Sequence, residues 1–270
     1  MAVPLLLAAV PAALQQVRVW DGCFDAGALS VICSAGGARG HTLTSVFDRG
    51  GDSRQSGRSV LEQALCSLLD ELGDRSRFIE YWWRDEWMDL EAHRDIDEEL
   101  CRAVVADGMG LQRCPINGHV LYVDLEDGVS GTCCWMEGDA GSSTIPMQDD
   151  VDPNNDLCAI RGGPPRPLHS MVVVPAIPGR LLRFSGDMLH GVTRPALALL
   201  ESGVSGGEQA AKQPLKSMRR AVLLFNTWEE PPLTPEPNAP LSNSEALPKD
   251  SLDKLCCLPR NQWKLSLIHI

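Results

Sequence analysis

Apolar and polar positions in this chain follow two different periods. Between Ser59 and Gly73 the apolar residues Leu61, Ala64, Leu65, Leu68 and Leu72 recur three and four apart, the spacing of one helix face. Ser59 and Glu62 have the spacing of a capping box, and Gly73 offers a left-handed stop, so both ends of the predicted helix are specified locally. From Arg77 onward the period falls toward two. Residues 78–83, 87–93, 118–123, 131–135, 170–174, 180–184 and 220–228 read as short strands. Turn-forming Pro and Gly at 175–179, and the turn at 185–187, separate them. Many short strands with tight turns predict an antiparallel sandwich or barrel, mainly β with flanking helices.

Between these elements the patterning lapses. Residues 36–57 are rich in Gly, Ser and Arg and read as a loop. Residues 137–167 and 201–217 read as a long loop and an insertion, and 229–248 are Pro-rich. Residues 95–107 are acidic and partly helical in pattern. The predicted organisation is a helical and loop support segment over 1–74, a β core over 75–230 and a Pro-rich C-terminal tail over 231–264. The last six residues, 265–270, match the translation of a transposon end used in sequencing libraries and are expected to be an artefact.

Composition narrows the functional classes. Acidic residues outnumber basic ones by 36 to 24, a net charge of -12. No basic stripe exists to neutralise phosphates, so a nucleic-acid partner is not expected. No apolar run is long enough for a membrane span. The first fourteen residues are apolar and lack a basic leader, so they read as a weak signal, a truncation remnant or a packed first segment. Ten cysteines include no Cys-x-x-Cys, which leaves a zinc ribbon or thioredoxin motif unsupported. They read as buried or free thiols in a reducing compartment, which favours a cytoplasmic location.

The chemistry sits in a few residues. His93 and Asp95, two apart on an extended segment, project to the same face and can share one ion. His190 follows the strand over 180–184 through a tight turn. Two imidazoles and a carboxylate form the set that holds iron(II) on one face and leaves the other positions open. Arg219 and Arg220 open the last apolar run. A cation at the inner start of a buried strand needs an anion to meet it, and a guanidinium grips a carboxylate with two parallel hydrogen bonds. Alternation lets only one of the pair face inward, and an inward Asn226 puts Arg220 there, with Arg219 as the fallback. Trp82, Trp83 and Trp87 read as sheet aromatics before a substrate platform. His41, His119 and His169 lack partners at ligand spacing and read as structural.

In the order His-x-Asp, His, Arg the chain resembles the iron(II)- and 2-oxoglutarate-dependent dioxygenases, in particular the prolyl-hydroxylase-like branch. The resemblance runs from about Phe78 to Trp228. It rests on Ala92-His93-Arg94-Asp95, on Tyr122 with Gly131-Thr132, on Pro178-Gly179-Arg180 through Phe184 to Leu189-His190-Gly191-Val192, and on Arg220 with Asn226-x-Trp228. It implies a double-stranded β-helix, a jelly-roll or cupin-like fold. It further implies His93, Asp95 and His190 as iron ligands, Arg220 on the distal carboxylate of 2-oxoglutarate, and Tyr122 in the lining of that pocket. Dioxygen is the oxidant implied and ascorbate an optional reductant. The implied reaction hydroxylates a peptide side chain such as proline, or a small molecule, with release of succinate and CO2. Two alternatives are a non-catalytic jelly-roll scaffold and a cupin-like protein that binds another metal without 2-oxoglutarate. The separation of His190 from the Arg pair is long for the family, and an insertion over 201–217 accounts for it.

Overall fold

The computed structural model describes residues 16–39, 44–50, 58–88, 90–106, 113–137, 168–193, 218–233 and 257–265. The element order is β1 (Val17–Asp21), α1 (Ala26–Arg39), β2 (Ser45–Asp48), α2 (Val60–Leu72), β3 (Phe78–Glu86), β4 (Leu90–His93), α3 (Glu98–Ala106), β5 (Asn117–Leu125), β6 (Thr132–Glu137), β7 (Leu168–Val174), β8 (Leu181–Ser185), β9 (Leu189–Val192), β10 (Arg219–Trp228) and β11 (Lys264–Leu265). The strands form two antiparallel sheets. The larger has the order β11-β1-β8-β5-β10-β3-β2, and the smaller β4-β9-β6-β7.

From β3 to β10 the chain steps between the two sheets. β3, β5, β8 and β10 belong to the larger sheet, and β4, β6, β7 and β9 to the smaller. Apart from the consecutive pairs β2–β3 and β6–β7, neighbours in each sheet come from distant parts of the sequence, the winding of a double-stranded β-helix. The sheets pack through Val120, Tyr122, Leu182, Phe184 and Val222 on one side and Cys134, Met136, Val172 and Val174 on the other. The far face of the larger sheet is covered by the helices, where Ile32, Leu65, Leu68 and Leu69 meet Ile79, Tyr81, Trp83, Leu223 and Phe225. β3 and β10 are therefore apolar on one face and mixed on the other, the inner face of the β-helix.

The α2 helix has the predicted ends: Ser59 accepts from the Glu62 backbone, Glu62 answers, and Gly73 takes a left-handed φ of 70°. Elsewhere the structure departs from the sequence reading. The loop expected over 36–57 contains the last turn of α1 and the strand β2. Gly36 and Gly37 resemble loop residues in sequence, but Gly36 lies where a Cβ would collide with the Trp83 indole. The strand expected over 87–93 begins only at Leu90, because β3 runs on to Glu86. β1 and β2 extend the larger sheet from within the segment read as helices and loops. At the other end, residues 257–265 pack against the helical layer. Cys257 and Trp263 are buried, Trp263 meets Trp20 edge-on at 6.1 Å, and Leu265 pairs with Trp20. Of the loop expected over 137–167, Glu137 ends β6 and residues 138–167 lie outside the described residues, as do the insertion expected over 201–217 and residues 234–248 of the Pro-rich run over 229–248. Among the described residues no helix is long and apolar enough to cross a membrane.

Candidate metal centre

Sheet register brings the two histidines together. β4 and β9 pair antiparallel with His93 opposite His190, and their ring centroids are 4.5 Å apart. Asp95 follows β4 by two residues. Its Oδ1 is 3.7 Å from His93 Nε2 and its Oδ2 is 3.8 Å from His190 Nε2. These spans are too long for hydrogen bonds. One donor atom from each of the three residues lies within 4.8 Å of the others, a spacing that can hold an ion.

The backbone sets the tautomers. His93 Nδ1 is 2.8 Å from the Glu91 carbonyl, and His190 Nδ1 is 3.1 Å from the Met188 carbonyl. A carbonyl oxygen only accepts, so each Nδ1 carries a proton, which leaves each Nε2, on the Asp95 side, as the nitrogen available to a metal. His190 also rests against the Phe184 ring, with centroids 4.5 Å apart. Arg94 donates to the Asp187 carbonyl at 2.9 Å, which ties the His93–Asp95 segment to the turn before β9. Asp97 is buried and structural. It accepts from Arg113, from the Leu100 backbone at 3.0 Å and from the Leu233 backbone at 2.9 Å. Two imidazole nitrogens and a carboxylate suit iron(II), and the chemistry of these donors fits that ion.

A cation lies between the sheets. Arg220 is 2% exposed, while Arg219 is exposed and pairs with Asp124 at 2.7 Å. Arg220 Nε donates to the Ser130 carbonyl at 3.2 Å and Nη2 to Thr132 Oγ1 at 3.4 Å. Its guanidinium carbon is 5.6 Å from the Tyr122 ring centroid, and Tyr122 donates to Thr132 Oγ1 at 2.7 Å. Burial lowers the Arg220 pKa from its ordinary value, opposed by Tyr122. Burial raises that of Tyr122, opposed by Arg220 and the Thr132 bond. Among the described residues no carboxylate lies within 4.0 Å of Arg220, so the strand holds a desolvated cation whose charge no described carboxylate meets.

Two inner-face residues were missed from the sequence. Glu80 lies opposite Asn226 on β10. Its Oε2 accepts from Trp228 Nε1 at 3.1 Å and Asn226 Nδ2 at 3.4 Å. Burial, and then the nearby Asp95 charge, push its carboxyl up to about 7. Arg84 follows on the same face. The strand expected over 78–83 ended one residue short of it, and no face was assigned to Glu80. His119, by contrast, is buried and stacked on Phe225 at 4.3 Å, away from the three donors. Trp83 belongs to the helical-layer core and Trp87 donates to the Thr193 carbonyl at 3.4 Å. The His41 and His169 side chains are not among those described.

No protein-family model matches the chain, and no curated protein matches it. Solved structures do. The chain is similar to a Pseudomonas putida prolyl-4-hydroxylase, at 11% identity over 79% of this chain and 84% of that one, with a TM-score of 0.40. It is similar to HygX from Streptomyces hygroscopicus with nickel and 2-oxoglutarate bound, at 14% identity over 82% and 88%, TM-score 0.39. It is also similar to SnoN, a non-heme alpha ketoglutarate dependent epimerase from nogalamycin biosynthesis, at 14% identity over 81% and 84%, TM-score 0.41.

Proposed function

We propose that this chain is an iron(II)- and 2-oxoglutarate-dependent dioxygenase that hydroxylates a peptide side chain, such as proline, or a small molecule, with release of succinate and CO2. One observation carries the reading: His93, Asp95 and His190 converge on the β-helix that also buries Arg220 without a carboxylate partner among the described residues. His93 Nε2, His190 Nε2 and an Asp95 oxygen hold iron(II). The metal supplies dioxygen activation and oxidative decarboxylation of the 2-oxo acid. Arg220 binds the distal carboxylate of 2-oxoglutarate, in a site where burial strengthens the charge-assisted contact. Tyr122 and Thr132 hold the guanidinium in place. The bonds from each Nδ1 to a backbone carbonyl fix the imidazoles before metal arrives, so little ordering is left to the binding step.

The test is anaerobic addition of iron(II) and 2-oxoglutarate to the folded protein. The expected result is the weak visible charge-transfer band of an iron-bound 2-oxo acid. Folded protein that binds iron and gives no band sinks the co-substrate reading and leaves a metal-binding protein of the cupin kind.

A further inference from the structure

The inner face of the larger sheet carries a second cation. Val222 of β10 lies opposite Arg84 of β3 and belongs to the cluster between the sheets. Residues directly opposite in an antiparallel pair share a face. Arg84 therefore lies on the inner side, and Ile79, Tyr81 and Trp83, which alternate with it, belong to the helical-layer core. Arg220 is two residues before Val222 on β10 and also points between the sheets. The two arginines are thus diagonal neighbours across one strand pair.

Among the described residues neither cation is paired with a carboxylate. The hydrogen bond of Arg84 goes to the Met88 sulfur, at 3.3 Å, and that of Arg220 to neutral oxygens. Among the described residues no carboxylate oxygen lies within 4.0 Å of either guanidinium. The pKa of Arg84 lies below its ordinary value, first through burial and then through repulsion by Arg220, while Asp95 opposes the shift. Arg84 therefore lies within electrostatic reach of both the metal-binding carboxylate and the buried arginine. Arg84 is half-buried, and two like charges on adjacent strands repel each other, a repulsion that an anion between them relieves. A single carboxylate on Arg220 leaves Arg84 uncompensated, and a dianion answers both.

We propose that Arg84 is a second anion-binding residue of the co-substrate pocket, holding the 2-oxo acid end of a dicarboxylate whose far carboxylate meets Arg220. This rests on the 2-oxoglutarate reading above and deepens it. Asp95 is near enough for its charge to act on Arg84, so the end nearer the metal is assigned to Arg84 and the far carboxylate to the buried Arg220.

The experiment measures binding by calorimetry to nickel-loaded wild type, Arg84→Gln, Arg84→Lys and Arg220→Gln. The probes are 2-oxoglutarate and pyruvate, which keeps the 2-oxo acid end and lacks the distal carboxylate. Arg84→Gln is expected to weaken both probes by about tenfold to a hundredfold, the scale of one hydrogen bond to a charged group. Arg84→Lys restores part of that loss, and Arg220→Gln weakens 2-oxoglutarate while sparing pyruvate. Wild-type affinity for 2-oxoglutarate in Arg84→Gln, beside a loss in Arg220→Gln, overturns the role of Arg84 and leaves the co-substrate reading intact. Failure of metal-loaded wild type to bind 2-oxoglutarate overturns both. Circular dichroism and thermal melts of each variant separate lost contacts from lost fold.

Discussion

Replacing Arg220 with Met separates binding from folding. The guanidinium is 2% exposed and donates to the Ser130 carbonyl and Thr132 Oγ1 at 3.2 and 3.4 Å. Thr132 keeps its bond from Tyr122 in the variant, so one backbone acceptor loses its partner. That loss costs about 1 kcal/mol. Arg220 has no carboxylate partner among the described residues, and replacing even a paired buried charge by apolar groups can return about 1–4 kcal/mol. Ligand-free Arg220→Met is therefore expected to be as stable as wild type or more so. The bound state behaves differently. A bidentate grip supplies two charge-assisted bonds of about 1.5–3 kcal/mol each, so the variant loses at least about 3 kcal/mol, or more than a hundredfold in affinity. Thermal melts of nickel-loaded protein read both effects. With 2-oxoglutarate at about 100 times the wild-type Kd, wild type gains about 2.7 kcal/mol and the variant about 0.4. On the scale of about 2–4 °C per kcal/mol, that is a shift of about 5–10 °C against about 1 °C. A ligand-free variant destabilised by more than about 2 kcal/mol, or one that keeps the full ligand shift, refutes the argument.

His190→Ala is expected to reduce iron(II) affinity by more than about a hundredfold, since even partners behind a ligand are worth 10–100-fold, and to abolish succinate formation. Equilibrium dialysis checks the first, and unchanged iron binding would place the ion elsewhere. Glu80 gives a pH signature: its folded pKa of about 7 lies above the ordinary value of 4.5, so the folded chain keeps a proton that the unfolded chain has lost. The stability of metal-free wild type relative to Glu80→Gln should fall as pH rises from about 4.5 to 7 and then level off, by about 3 kcal/mol at most. Urea titrations at several pH values test this, and a difference that is flat with pH contradicts the burial of the carboxyl. Trp263→Ala is expected to cost about 3–5 kcal/mol in chemical denaturation, because the indole is buried against Trp20. A loss under about 1 kcal/mol would show that residues 257–265 only decorate the core.

What the sequence disclosed depended on whether a residue acts through its own local pattern. The ends of α2 were legible because Ser59, Glu62 and Gly73 satisfy that helix by themselves. The double-stranded β-helix came from resemblance, and alternation supplied most of its strands. α1 was hidden because Gly36 and Gly37 are poor helix formers, and the Trp83 indole that requires Gly36 lies far along the chain. β1 and β2 were hidden because each is short and is completed only by partners, β8 in one case and β3 in the other. His93 and Asp95 were legible as neighbours on one face, but their meeting with His190 was legible only through the resemblance. Nothing local to His93 places it opposite His190. Glu80 and Arg84 were missed for the opposite reason. A polar residue alternating with Tyr and Trp reads as solvent-facing, and here that face is the inside of the β-helix.

The same reasoning bears on the long sequence separation between His190 and Arg220, the one departure from the resembled pattern. Separation along the chain fixes distance only where nothing else constrains the strand. β10 is constrained on both edges. It pairs with β3 from Arg219 to Trp228 and with β5 from Arg220 to Thr227, each with one register shift near its start. A slip by one residue would turn Leu223 and Phe225 out of the helical-layer core and bring Leu224 and Asn226 into it. That penalty falls on the strand and does not depend on the length of chain leading into it. The inward aim of Arg220 and the outward aim of Arg219 are therefore set by the apolar residues that follow them. Insertions between β9 and β10 leave the spacing of the cation from His93, Asp95 and His190 unchanged, so a rule counted in residues is weaker here than one counted in strand register.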